Sequence, residues 1–170
     1  MARYVQIPVL ALLLGMACHP VLAAQDPDGF VDDASAKGVA EIEVGKLALD
    51  KAVAPDVKAF AQMMVSDHTA ANDKLKAIAQ SKRIEVSSYP QVMDKIKALI
   101  LDLRSAKSFD QAYANNQVKA HEAAIELFEK EAANGKDAEL KAFASATLPK
   151  LKEHLAQAKQ LAAAHGGDAP

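Results

Sequence analysis

The sequence predicts an all-α fold, a bundle of four long helices with a short connecting helix between the second and the third. Three observations predict it. The 170 residues are 51% hydrophobic yet only 5% aromatic, with no Trp, seven Gly and seven Pro, and the dense Ala, Leu, Lys and Glu are helix formers. Apolar residues recur at alternating steps of four and three, which places them on one face of a helix. Pro, Asp and Asn-Gly punctuate the chain where such faces begin and end.

The first helix opens at Asp26-Pro27-Asp28, an N-cap residue, a proline at the first helical position and an early acidic residue, and its periodicity runs from Phe30 to about Ala52. Val53-Ala54 makes a tight connection and Pro55-Asp56 starts the second helix, whose stripe is Val57, Ala61, Met64, His68, Ala71, Leu75 and Ile78, with Phe60 beside it. A mixed stretch around Ser87-Ser88-Tyr89-Pro90 follows. A connecting helix is then predicted from about Gln91 to Arg104, carrying Val92, Ile96, Leu99, Ile100 and Leu103. Ser108 and Gln111 have the spacing of a capping box and are expected to open the third helix. Its stripe is Ala114, Val118, His121, Ile125, Phe128 and Ala132, and Asn134-Gly135 stops it. Asp137 is expected to cap the fourth helix, with the stripe Leu140, Ala144, Thr147, Leu151, His154, Ala158, Leu161 and His165; Pro149 lies inside it, where a bend is expected. Each long helix of about 23 to 27 residues spans roughly 35 to 40 Å, and four of them joined by short turns in pairs make a bundle.

Residues 1–23 read as a secretory signal, with Arg3 as its charged start, an apolar run from Val5 to Ala17, and cleavage expected after Ala23 or Ala24. The predicted organisation is thus a leader over 1–23 and one bundle domain over 24–170, its core about 28–164. The expected destination is export, most simply to a bacterial periplasm. The apolar run falls short of the roughly 20 residues of a spanning helix, and no transmembrane span is expected in the mature chain. The single cysteine, Cys18, lies in the leader. Reading it as a lipid-anchored cysteine is less favoured, since Gly15 stands where a branched apolar residue belongs. Twenty basic against 22 acidic residues, a net charge of −2, with no basic block, exclude a nucleic-acid footprint.

Three of the histidines, His68, His121 and His154, fall one each on the second, third and fourth helices, on the core-facing stripe and near mid-height as counted from the turns. On the first helix Glu41 lies at the same level, flanked by Gly38 and Gly45, small residues that would let a neighbouring helix approach. Three imidazoles and a carboxylate converging there would suit one transition ion, zinc, copper or iron, better than magnesium or calcium. Asp67, Asn72, Gln117, Glu122 and Glu153 are candidates to hold the second ring nitrogens. Because adjacent helical residues point about 100° apart, Asp67, Glu122 and Glu153 are expected to serve a neighbouring helix or solvent instead. The competing reading makes each histidine a packing residue bonded to Gln117, Asn116, Tyr113 or a backbone carbonyl, and a third makes the group a proton-linked switch. Met63, Met64 and Met93 fill the core better than they make a soft-metal site.

The run Phe30, Ala34, Gly38, Glu41-Ile42-Glu43-Val44-Gly45, Leu47-Ala48, then Val57-Lys58-Ala59-Phe60-Ala61 and Met64-Val65-Ser66-Asp67-His68, resembles the bacterial domain of unknown function 4142 family. Phe109-Asp110, Tyr113, Gln117-Val118, His121 and Leu148-Pro149 to His154-Leu155 extend the resemblance over about residues 28–162. It implies an exported, ferritin-like four-helix bundle with no established activity. Di-iron enzymes of that fold carry Glu-x-x-His on two helices, whereas Val65, Val118 and Leu151 stand three residues before the histidines here. The sequence therefore reads as a non-enzymatic binder of a transition-metal ion through His68, His121, His154 and Glu41. The alternative is a structural or stress-related envelope module acting through protein partners, with no metal. No Ser/His/Asp set, phosphate loop or mature cysteine supports an enzyme.

Overall fold

Proline sets two of the helix starts and aspartate a third. A computed structural model describes residues 26–167, and the predicted leader, with Cys18, lies outside the described residues. Five helices are present: α1 Pro27–Lys51, α2 Pro55–Lys82, α3 Val92–Asp102, α4 Ala106–Asn134 and α5 Ala138–Ala164. Pro27 and Pro55 occupy first-turn positions of α1 and α2, where the missing N–H costs nothing. Asp26 precedes α1 in an extended conformation but makes no side-chain cap. Asp137 does cap α5, its Oδ1 accepting from the backbone N–H groups of Glu139 and Leu140, each at 3.0 Å. α5 runs unbroken through Pro149.

The expected capping box at Ser108 and Gln111 does not form. α4 begins a turn earlier, with Ser105 in the extended conformation before Ala106, and the Gln111 side chain donates to the Gly166 carbonyl instead. The earlier start turns Phe109 and Asp110 inward, both buried. Asp110 then accepts from the otherwise unpaired N–H groups of Val53 (3.2 Å) and Ala54 (2.9 Å), so a side chain of α4 fastens the turn between α1 and α2.

The connections make the bundle ferritin-like. α1 pairs with α2 and α4 with α5 as tight hairpins, and α1 also packs on α4 and α2 on α5. After α2 the chain reaches the start of α1, where the Ser87 N–H donates to Ser35 Oγ (2.8 Å) and Gln91 Nε2 to Asp33 (2.6 Å). α3 then travels back along the bundle to the other end, where Asp102 pairs with Lys51 at the end of α1. α4 therefore starts beside the α1–α2 turn and runs parallel to α2, with α5 returning antiparallel. Lys82 at the end of α2 ties to Asp137 (2.8 Å) and Glu139 (3.1 Å). His165 at the end of α5 meets Asp56 (2.9 Å) at the start of α2. One long crossover in an otherwise antiparallel bundle is the ferritin-like connectivity.

The core is in two parts. One apolar cluster lies at the α1–α2 turn end, built around Val44, Val57, Phe60, Met64, Phe109 and Tyr113. The other lies at the far end, around Phe30, Leu75, Phe128, Leu140 and Leu151. Most of the predicted stripe residues are buried, with Ala124 taking the place expected of Ile125. On α3 the outcome differs: Val92, Ile96, Leu99, Ile100 and Leu103, the residues that marked it as a helix, face solvent, and Leu101 alone is fully inside.

Gly45 lets α1 and α2 meet closely, since a Cβ there would lie 2.8 Å from Val65 Cγ2 and 3.3 Å from the Ala61 carbonyl oxygen. The β-branched Val65 is stiff, so overpacking of about 1–3 kcal/mol outweighs the gain of about 1 kcal/mol in helix propensity. Gly45→Ala is expected to lower stability by about 1 kcal/mol, read as a Tm lower by a few degrees in a thermal melt.

Glu131 is wholly buried in the last turn of α4 with neither carboxylate oxygen partnered. Burial, and then the nearby Asp137, raise its carboxyl above the ordinary value, against a smaller pull from Lys141. A raised carboxyl favours the protonated form in the fold. Its contribution to stability is present in full below the ordinary carboxylate value and is lost as pH rises through the raised one. Denaturation midpoints should decline over that window, and Glu131→Gln should flatten the decline; an unchanged slope in the variant would count against it.

Candidate metal centre

Between the two apolar clusters lies a buried polar layer. His68 from α2, His121 from α4 and His154 from α5 meet there, with ring centroids 5.4 to 5.7 Å apart. Their exposures are 8%, 1% and 1%. One ring nitrogen from each can be chosen so that all three lie within 4.8 Å of one another, the only such group of three among the described residues. The counting from turns thus places the three correctly, because each sits on the core-facing stripe at mid-height.

The hydrogen bonds decide which nitrogen is free. His121 Nδ1 is 2.9 Å from the Gln117 backbone carbonyl one turn earlier, so it is the donor and Nε2 keeps its lone pair. His154 Nε2 is 3.0 Å from Asp67 Oδ2, so it is the donor and Nδ1 keeps its lone pair. These assignments follow from the acceptors present. His68 Nε2, His121 Nε2 and His154 Nδ1 are all buried without a partner. An unsatisfied buried polar atom costs about 1–3 kcal/mol, and packing histidines would leave three of them in one layer of the core.

Asp67 does serve a neighbouring helix, as its position predicts, and the neighbour is a site residue. It lies on α2, beside His68, and orients His154 on α5; Lys150 stands 4.0 Å from the same oxygen. Glu122 and Glu153 turn to Lys159 and Lys150 on the outer surface. Asn72 packs against Gly38 and donates to the Ser35 carbonyl rather than to a histidine ring.

Glu41 is buried at the same level on α1 and lines the same cavity. Gln117 Nε2 donates to its Oε2 at 2.7 Å, and the group of three histidines forms without it. Burial raises its carboxyl above the ordinary value, more than the opposing pulls of His121 and the Gln117 hydrogen bond. Burial, then His121 and His154, push the His68 imidazole down to about 3. Burial likewise lowers His154, although Asp67 partly opposes it. His68 and His154 are thereby held as uncharged imidazoles, the form in which histidine binds metal.

A cavity of about 90 Å³ adjoins the rings. Its walls include Asp94 and Lys97 of α3, so the crossover helix covers one side, and Lys37, Lys119 and Lys150 from α1, α4 and α5. Nothing in the spacing of these four lysines along the sequence marks them as cavity residues. The methionines do not gather: Met64 belongs to the turn-end cluster with Met63 against it, and Met93 is exposed on α3. Tyr113 packs between Phe60 and Phe109, as a bundle aromatic should.

Fold and site together define a ferritin-like crossover bundle with a histidine cluster at the middle of its core and no Glu-x-x-His pair. The chain belongs to the family described as Domain of unknown function (DUF4142), whose model matches residues 14–161. Among solved structures it is similar to a DUF305 protein from Streptomyces coelicolor, described as a candidate secreted protein. The TM-score is 0.73 at 14% identity, over 85% of this chain and 95% of that one. It is also similar to CopM in its Cu(I)-bound form, with TM-score 0.67 and 17% identity over 80% and 94% of the two chains. For the Cu(II)-bound form the TM-score is 0.68, again at 17% identity, over 83% and 98%. No curated protein matches the chain at a significant level. These likenesses bear on the fold.

Proposed function

We propose that this protein is an exported bundle that binds one transition-metal ion through His68, His121 and His154. The observation that carries the reading is the convergence of three buried imidazoles, each with a ring nitrogen that has no partner, two of them with the opposite ring nitrogen already held by a carbonyl or a carboxylate. That arrangement of ligand and supporting partner is the usual one at metal-bound histidine. Neutral nitrogen donors favour copper, zinc or iron over harder cations. Copper takes first place among the three, because CopM, a protein of similar fold, is described in both Cu(I)- and Cu(II)-bound forms. Glu41 is the proposed fourth donor, reached when a cation nearby lowers the carboxyl that burial holds high. The leader over 1–23 and a periplasmic destination belong to the same proposal.

The proposed chemistry is holding an ion rather than turning over a substrate. The protein supplies oriented rings, a dry wall of Ala34, Ala124 and Leu151, and a polar mouth beside α3. The second reading, an envelope module acting through its surface, draws on the outward apolar face of α3.

Untagged protein purified from its own compartment should carry one ion per chain by elemental analysis. The His68→Ala, His121→Ala, His154→Ala triple variant should carry none while remaining helical by circular dichroism. Metal-depleted protein should melt higher when copper, zinc or iron is restored. Metal-free native protein whose melt ignores all three ions would sink the proposal.

Asp67→Asn keeps the size of the side chain but weakens its hold on His154. A loss of about 10–100-fold in metal affinity is expected, measured by competition with a chromophoric chelator. Equal affinity in the variant would remove Asp67 from the site.

A further inference from the structure

The least explained surface of the molecule is the outer face of α3. Val92, Met93, Ile96, Leu99, Ile100 and Leu103 are 44% to 78% exposed. At about 100° per residue all six fall within an arc of about 120°, opposite Ala98 and the buried Leu101, which turn toward the bundle. Scattered surface leucines are ordinary, but a contiguous apolar stripe marks a contact.

Cations border the stripe on both sides. By the same helical arithmetic Lys97 lies along one edge and Lys95 along the other, and Arg104, just past the end of α3, lines one cleft with Lys97. The two acids of α3 are already engaged, Asp94 with Lys97 (3.0 Å) and Asp102 with Lys51. Lys95 and Arg104 pair with no carboxylate among the described residues; Lys95 instead sits 5.1 Å from the centre of the Tyr89 ring. That cleft, left by α3 and α4 behind the Lys97 edge, is about 520 Å³. It is lined by Lys97, Arg104 and Lys119 with Gln111, Asn115 and Asn116, and by no carboxylate.

We infer that α3 is an interfacial helix that seats the bundle on an anionic lipid surface. The stripe enters the boundary between headgroups and acyl chains with the helix axis in the plane of the surface, while Lys95 and Arg104 reach up to lipid phosphates. The cleft supplies further cationic and amide groups at the same level. Charge decides against a second copy of the chain as the occupant, because a self-pair through this stripe sets cationic edges against cationic edges with no free acid between them. No described helix is long and apolar enough to cross the membrane, so the attachment is peripheral. The inference is independent of the metal reading.

Protein purified after export, its N-terminus read by mass spectrometry, is sedimented with vesicles of phosphatidylglycerol and phosphatidylethanolamine or of phosphatidylcholine alone. Binding to the anionic vesicles should exceed binding to the zwitterionic ones at least tenfold and weaken as salt rises. Leu99→Glu with Ile100→Glu, and separately Lys95→Glu with Arg104→Glu, should each reduce binding at least tenfold. All four positions are exposed or on the α3 surface, and circular dichroism checks that helicity is kept. Equal binding to both vesicle types, binding unchanged in either double variant, or a dimer in solution that ignores vesicles would each overturn the inference.

Discussion

Three imidazoles pressed together at the middle of a helical core are the constraint around which this protein is arranged. Each brings a buried ring nitrogen that the protein leaves without a partner, and burial disfavours the charged form of His68 and His154. Such a layer persists only if the packing on both sides holds it. The Phe60, Phe109 and Tyr113 cluster does so at the turn end, and Phe30, Phe128 and Leu140 do so at the far end. Asp67 and the Gln117 carbonyl then fix two of the rings in orientation. The polar layer gives those positions their chemistry, and the apolar clusters give it rigidity.

The crossover connects this core to the surface. Because α2 and α4 run parallel, the chain must travel the length of the bundle between them, and it does so as α3 laid along α1 and α4. The inner side of α3 contributes Asp94 and Lys97 to the cavity wall beside the histidines. Its outer side carries the apolar stripe. One short helix thus borders the proposed ion site and forms the proposed contact with lipid, so a surface that shifts α3 would also alter the mouth of the cavity.

The absence of Glu-x-x-His separates this bundle from di-iron oxidases built on the same connectivity. Here the residues a turn before the histidines are Val65, Val118 and Leu151. Of the carboxylates near the rings, Asp67 orients His154, and Glu41, the proposed fourth donor, accepts from Gln117. The proposed ion would therefore meet mainly imidazole nitrogens, donors that suit a soft or borderline cation.

The sequence by itself determined the elements and the level of the site. Proline starts, the Asp137 cap and a stripe that alternates by four and three are local properties, and His68, His121 and His154 lie on those stripes at one height whichever way the bundle is connected. The missed start of α4 was a contest between two serines, settled in favour of Ser105 by the pull of Phe109 and Asp110 toward the core. Tertiary structure alone decided the rest. Helical periodicity says which residues share a face, but not which face meets which helix, so the parallel course of α2 and α4 and the outward stripe of α3 were not legible. Nor was the partner of each ring nitrogen, since the Asp67–His154 contact joins residues 87 positions apart and forms only when two helices pack side by side.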